Sequence, residues 1–317
     1  MNEIIEKIKS AKSAAILGHI NADADSLGSC FAFARMMRMM GKKADVYTEE
    51  PIERYLRFIN ADYIVYDPDE PTEQYDLCIC LDCGDIDRLG KRRIFFDNAA
   101  QTINIDHHRT NTEFAQANMV DGDASATGEI LCGLFEEFGY EIDKEIARYL
   151  YIAISSDTGC FKYSSVSPYT MRCAAKLLEY DFDHAEIARL LFDTHSMEET
   201  RFRAEVMRNI RSYDGGKIRI VSISPELCEK TGLDENDIPN VVDIPRCVEG
   251  TDIAVALKLK NGEVRINLRS NSDADVSKVA LKFGGGGHMK AAGAGIKGVS
   301  LEEAEAIVLD ACREVLA

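Results

Sequence analysis

The chain has 317 residues, 46% hydrophobic and 29% charged, enough for two globular domains each with its own core, and it reads as an ordinary soluble protein. Its formal net charge of −17 argues against a protein that tracks along long nucleic acid, which needs a basic stripe to neutralise many phosphates. The amphipathic, mixed-charge segment Met1 to Ile8 does not read as a secretory signal, and no apolar run approaches the ~20 residues of a membrane span, so the expected location is the cytoplasm.

In chain order, apolar runs predict strands over residues 14–19, 44–48, 63–66, 77–82 and 102–106. Helical periodicity predicts helices over 26–40, 127–138, 144–155 and 169–179, with Gly41 and Gly139 placed as C-cap glycines. This alternation of strand and helix is the pattern of a parallel α/β sheet. A polar-apolar stretch over 184–210, free of glycine and proline, reads as a helical connector. Strands then follow at 217–223, 253–260 and 263–269, the last two joined by Asn261-Gly262, a strong hairpin signal. Helices over 276–283 and 301–316, with a glycine-rich turn and a short strand between them, complete a smaller α+β domain. The expected division is a catalytic, metal-binding domain over 1–185, the connector over 186–212 and a substrate-binding domain over 213–317.

The chemistry lies in runs of histidine and aspartate that follow these elements: His19, Asp23 and Asp25; then Asp82; then Asp106, His107 and His108; then Asp157. Any one acidic residue after a strand is commonly a turn former or helix cap, but that does not explain the histidines. Strand ends of a parallel sheet open onto one edge, so these residues can converge. His19, Asp23 and Asp25 can share one crevice, with one carboxylate for each of two cations. Asp82 ends the most hydrophobic strand, where a carboxylate can bridge them. Asp157 ends a helical run and offers another oxygen ligand, and Asp106 suits a carboxylate that orients an imidazole. Carboxylate and imidazole without thiolate favour two divalent metal ions of the manganese type, suited to an in-line displacement at phosphorus. Cys78, Cys80 and Cys83 lack the paired spacing of zinc ribbons and read as small core residues. The ten cysteines are expected to stay reduced.

In the second domain, Arg269 and Ser270 end a strand, and Gly285, Gly286 and Gly287 precede His288 within Gly284-Gly285-Gly286-Gly287-His288. Consecutive glycines let backbone N–H groups approach an anion, and arginine offers a planar fork for phosphate. A flexible turn with an ordinary histidine is the alternative. Arg109, directly after the histidine pair, reads equally as a phosphate contact or as a solvated side chain.

These motifs resemble those of the DHH phosphoesterase family: the His-x-Asn-x-Asp-x-Asp-Ser-x-Gly-Ser run at 19–29, Leu-Asp-Cys-Gly-Asp around Asp82, Asp-His-His at 106–108 and Asp157-Thr158-Gly159. The glycine-histidine run at 284–288 resembles the loop of the DHH-associated C-terminal domain, and the likeness spans essentially the whole chain. Size and domain order are most similar to the NrnA-type oligoribonucleases. The resemblance implies that His19 and Asp23 bind one metal, that Asp25, His107 and Asp157 bind the other, and that Asp82 bridges. It implies that His108 faces the scissile phosphate and that Arg269 and His288 hold substrate. Expected substrates are short RNA oligonucleotides, dinucleotides such as pApA or pGpG, and 3′-phosphoadenosine 5′-phosphate, with no membrane partner; a homodimer is compatible with this. The alternatives are a phosphatase whose main substrate is the adenosine bisphosphate, pyrophosphate hydrolysis, and a sensor that binds a dinucleotide without cleaving it.

Overall fold

A computed structural model describes residues 2–140, 142–235 and 237–316. The chain forms two compact units, 1–194 and 195–317. The first unit contains β1 (Ser13–Leu17), β2 (Lys43–Thr48), β3 (Ile64–Val65), β4 (Leu77–Leu81), β5 (Gln101–Asp106) and β6 (Ala117–Val120) in one sheet of order β3-β2-β1-β4-β5-β6. Every pairing in it is parallel. β4 is buried along its whole length, as expected of a central strand covered on both faces. The order reverses between β1 and β4, and such a switch point leaves a crevice at the strands' carboxyl ends.

Three helices pack unusually close on this unit: Ala24–Met39, Thr127–Phe138 and Lys144–Asp157. A Cβ at Gly28 would lie 2.6 Å from the Tyr149 carbonyl oxygen, and one at Gly128 would lie 2.6 Å from Ala153 Cβ. Any larger residue would push the helices apart, and with them the side chains that their ends deliver to the crevice. Cys78, Cys80 and Cys83 are fully buried free thiols in an apolar cluster with Tyr47, Tyr75, Leu89 and Phe95. Burial raises the thiol pKa of Cys80 and Cys83 well above the ordinary value, so these are inert core residues.

The stretch 184–210, read as a helical connector, is helical in three pieces. His184–Ala188 runs into a π-helical turn, Arg189–Asp193, and a separate helix spans Met197–Arg208. Ser196 starts the last piece by accepting the Glu199 backbone N–H at 3.0 Å, while the Thr194 hydroxyl donates to the Arg189 carbonyl at 2.8 Å. Threonine and serine side chains compete for backbone groups in this way without any glycine or proline to announce the break.

In the second unit, β7 (Arg211–Tyr213), β8 (Ile218–Ile223), β9 (Ile253–Lys260), β10 (Glu263–Ser270), β11 (Gly286–His288) and β12 (Ala291–Lys297) form a mixed sheet of order β11-β12-β10-β9-β8-β7. Among the described residues only the β8–β9 pairing is parallel. Asn261 and Gly262 have φ of 53° and 74°, the doubly positive backbone of a two-residue hairpin turn. Helices Val276–Lys282 and Leu301–Leu316 cover one face through Val279, Ala304 and Val308.

Candidate metal centre and active site

The crevice at the carboxyl edge of the first sheet gathers the histidines and aspartates singled out in the first unit. His19 lies two residues past β1, Asp82 directly follows β4, and Asp106 ends β5 with His107 and His108 after it. His19 Nε2 is 3.6 Å from Asp23 Oδ2 and 3.5 Å from Asp82 Oδ2. His107 Nε2 lies 3.5 Å from Asp82 Oδ1, 3.8 Å from Asp25 Oδ2 and 3.2 Å from Asp157 Oδ2. Asp82 thus turns one oxygen to each group. Donor atoms at these separations can each reach a common ion at the roughly 2.1 Å bond lengths that nitrogen and oxygen ligands make. The donor set therefore fits divalent cations, and His19–Asp23–Asp82 and Asp25–His107–Asp157 are two groups that could each hold one.

Local structure explains each placement. Asp23 is the N-cap of Ala24–Met39: its Oδ1 accepts the Ser26 N–H at 3.0 Å, which leaves Oδ2 for His19. It is a helix cap and a candidate ligand at once. Asp25 is fully buried and accepts the N–H groups of Thr127 at 2.7 Å and Gly128 at 3.0 Å, with the Ser29 hydroxyl at 3.1 Å. The positive end of a helix dipole thus faces its carboxylate. Asp157 is the last residue of Lys144–Asp157, where that helix's dipole disfavours a negative charge. Asp82 itself has φ of 59°, a left-handed backbone that costs an aspartate of order 1 kcal/mol or more, with its two oxygens each 3.5 Å from a histidine.

Electrostatics mark the same cluster. Burial works against charging His19, but its bonds to Asp23 and Asp82 outweigh this and raise its pKa to about 10. His107 is likewise pushed up to about 10 against burial, by Asp157, Asp25 and Asp82. Burial, then Asp82 and Asp157, raises the Asp25 carboxyl well above the ordinary range; Asp157 is also raised, chiefly by burial. So much clustered negative charge calls for cations, and without metal it draws protons onto the imidazoles.

His108 differs from His107. Its Nδ1 lies 2.7 Å from Asp106 Oδ1, and that bond raises its pKa. Asp106 is fully buried; burial opposes its ionisation, but His108 and Asn111 hold its pKa below the ordinary value. It orients the His108 imidazole. Arg109 pairs with Asp123, which ties its guanidinium to a surface carboxylate.

In the second unit, Arg269 on β10 and His288 on β11 both stand opposite Ala291 of β12, so the three form one row across the sheet. His288 is exposed and Arg269 half-buried, its Nη1 donating to the Leu268 carbonyl at 3.0 Å. Ser270 is buried, with its hydroxyl bonded to the Ser272 carbonyl at 2.9 Å. Packing alone requires two of the loop glycines. A Cβ at Gly285 would come 2.1 Å from the Gly293 oxygen, and one at Gly287 2.5 Å from the Ala291 oxygen, while Gly286 has open space. Lys258 of β9 faces Arg265 of β10 with Lys260 nearby, a local basic grouping that the net charge conceals; burial, then these two neighbours, lowers the Lys258 pKa.

Sequence reasoning missed two neighbours of the cluster. The Thr127 hydroxyl donates to Asp82 Oδ1 at 3.0 Å, and Arg88 Nη2 lies 3.0 Å from His19 Nδ1. Thr127-Gly128 at a helix start was the available signal for the first, and an arginine soon after Asp82 for the second.

Known proteins share this architecture. The chain is 33% identical over 302 residues, 95% of its length and 89% of the relative's, to the bifunctional oligoribonuclease and PAP phosphatase NrnA of Thermus thermophilus. The Bacillus subtilis protein of that name is 24% identical over 311 residues, covering 97% of this chain and 96% of its own. The fold matches the crystal structure of an exopolyphosphatase-related protein from Bacteroides fragilis with a TM-score of 0.91 at 24% identity, over 99% of this chain and 95% of that one. The DHH family, N-terminal domain, matches residues 13–154 and the DHHA1 domain matches 216–317, the two together taking in the first sheet and all of the second but β7. With the two motif-bearing units and a full-length relative agreeing, the chain belongs to the DHH–DHHA1 family of phosphoesterases, and it is a hydrolase of phosphate esters.

Proposed function

We propose that this protein is a two-metal phosphodiesterase that hydrolyses very short oligoribonucleotides and dinucleotides, such as pApA or pGpG, to mononucleotides, and that it also removes the 3′-phosphate of 3′-phosphoadenosine 5′-phosphate. The observation that carries the reading is Asp82, whose two oxygens face two separate sets of donors. His19 and Asp23 would hold one divalent cation, Asp25, His107 and Asp157 would hold the other, and Asp82 would span both. Manganese suits this mixture of imidazole and carboxylate. When bound, such a pair neutralises the phosphate, polarises phosphorus and activates the attacking water. His108, its Nδ1 held by Asp106, turns its other ring nitrogen to the scissile phosphate and contacts it there. The names of the full-length relatives supply the substrate class.

A substrate panel with manganese tests this: a dinucleotide, the adenosine bisphosphate, a five-nucleotide RNA, a long RNA and pyrophosphate. We expect the first three to be turned over and kcat/KM to fall for longer RNA, because each added phosphate meets a chain of net charge −17. Dinucleotide binding without turnover would make the protein a sensor.

Arg269 and His288 are assigned to substrate capture. Arg269→Ala and His288→Ala should each raise KM for a dinucleotide roughly ten- to hundredfold, the equivalent of a lost charge-assisted bond of about 1.5–3 kcal/mol, with metal content unchanged. Unaltered kinetics would leave the glycine-rich loop a packing feature only.

A further inference from the structure

Arg88 belongs to the short helical segment Ile86–Arg92 that follows Asp82. This segment is docked on the loop carrying His19: the Ile20 N–H donates to the Arg88 carbonyl at 2.8 Å, and a Cβ on Gly90 would come 2.7 Å from Ile20 Cγ2. The Arg88 backbone is therefore held at the rim of the metal centre while its side chain is exposed. Among the described residues its guanidinium forms no ion pair, in a site rich in carboxylates. Nearby Asp85 is engaged elsewhere, accepting the Asp87 N–H at 2.8 Å and the Thr112 hydroxyl at 3.3 Å.

The contact Arg88 does make is contested by a backbone carbonyl. His19 Nδ1 lies 2.8 Å from the Ile20 carbonyl and 3.0 Å from Arg88 Nη2. A carbonyl only accepts and a guanidinium only donates, so Nδ1 serves one of them at a time. The Ile20 carbonyl is the nearer of the two, and an Nδ1 proton donated to it leaves no lone pair there for a guanidinium. Arg88 is left without an acceptor. The other arginines of this region are committed: Arg109 to Asp123, and buried Arg92 to the Tyr47 carbonyl and Glu49.

Charge completes the case. Asp23, Asp25, Asp82 and Asp157 supply four carboxylates, which balance two divalent cations and leave the phosphate's own charge uncompensated. We infer that Arg88 is a phosphate-binding residue of this site, its guanidinium gripping a non-bridging oxygen of the substrate phosphate on the His19 side. The inference rests on the phosphoesterase reading above and adds to it a binding residue from the first unit. A planar fork of donors matches phosphate where a lysine offers only a point charge.

Arg88→Gln and Arg88→Lys test it by calorimetry and kinetics on the full chain. Manganese alone should bind both variants as it binds the parent, within about twofold. Inorganic phosphate should bind the manganese-loaded Gln variant roughly ten- to hundredfold more weakly, with KM for a dinucleotide rising by a similar factor and Lys recovering part of the loss. Unchanged phosphate affinity and KM would overturn the assignment. A loss of manganese affinity in step with phosphate affinity would also overturn it, by making Arg88 a residue that orients His19. Failure of the parent protein to cleave any phosphoester would instead count against the functional reading, while the phosphate titrations would still decide the role of Arg88.

Discussion

Asp82→Ala is expected to lower kcat/KM by more than about a hundredfold, the upper end of what is lost when a residue that only orients a metal ligand is removed. Asp82 lies between both donor groups, with Oδ2 3.5 Å from His19 and Oδ1 3.5 Å from His107, so its loss weakens both cation sites at once. Asp82→Asn separates this from damage to the fold. Asparagine tolerates the positive φ that Asp82 adopts and keeps a partner for the Thr127 hydroxyl, but it carries no charge. Asp82 both raises the Asp25 carboxyl and supports the protonated His19 and His107, so the neutral variant should keep a cooperative melt without metal while losing most manganese binding and turnover. Near-normal turnover with two metals bound would refute the bridging role.

Chelation should abolish hydrolysis and manganese should restore it; activity that survived exhaustive chelation would sink the two-metal mechanism. The same ligands tie metal to proton binding. The raised pKa values of His19 and His107, about 10 against an ordinary 6.5, mean that the metal-free folded state binds protons more tightly than the unfolded chain. Their contribution to stability is thus full below about pH 6.5 and is lost as pH climbs towards 10. Asp25 and Asp157, also raised, act in the same direction. Without metal, Tm should therefore fall as pH rises from about 6.5 to 8.5, and the increase in Tm caused by manganese should grow over the same range, since fewer protons compete for the imidazoles. Thermal melts with and without manganese across this range check it. A manganese-induced shift that did not depend on pH would mean that these histidines are not the groups the cation displaces protons from.

Much of the fold was legible because its signals are local. β4, with the sequence Leu-Cys-Ile-Cys-Leu, is apolar on both faces, and the run 127–138 has the period of a helix, so each could be read from a short window. β6 could not. Its Ala-Asn-Met-Val lies at the sheet edge with three of four residues only half-buried, so little hydrophobic pattern marks it. Ser196 divides the connector into separate helices by capping one of them, an effect that depends on where one hydroxyl points rather than on composition.

The sequence alone determined the donor types, their positions just past predicted strand and helix ends, and through them the family resemblance, because chain order and residue chemistry suffice for each. It did not determine which donors meet. That depended on β1 pairing beside β4, and on Gly28 and Gly128 letting three helices close on Ala153 and Tyr149, so that Asp25, His107 and Asp157 come together from distant parts of the chain. The left-handed turn at Asp82, the anchoring of Asp25 by the backbone at Thr127 and the placing of Arg88 against His19 were likewise decided only in three dimensions. These are contacts between segments far apart in sequence, and their geometry is set by packing, which no local pattern records.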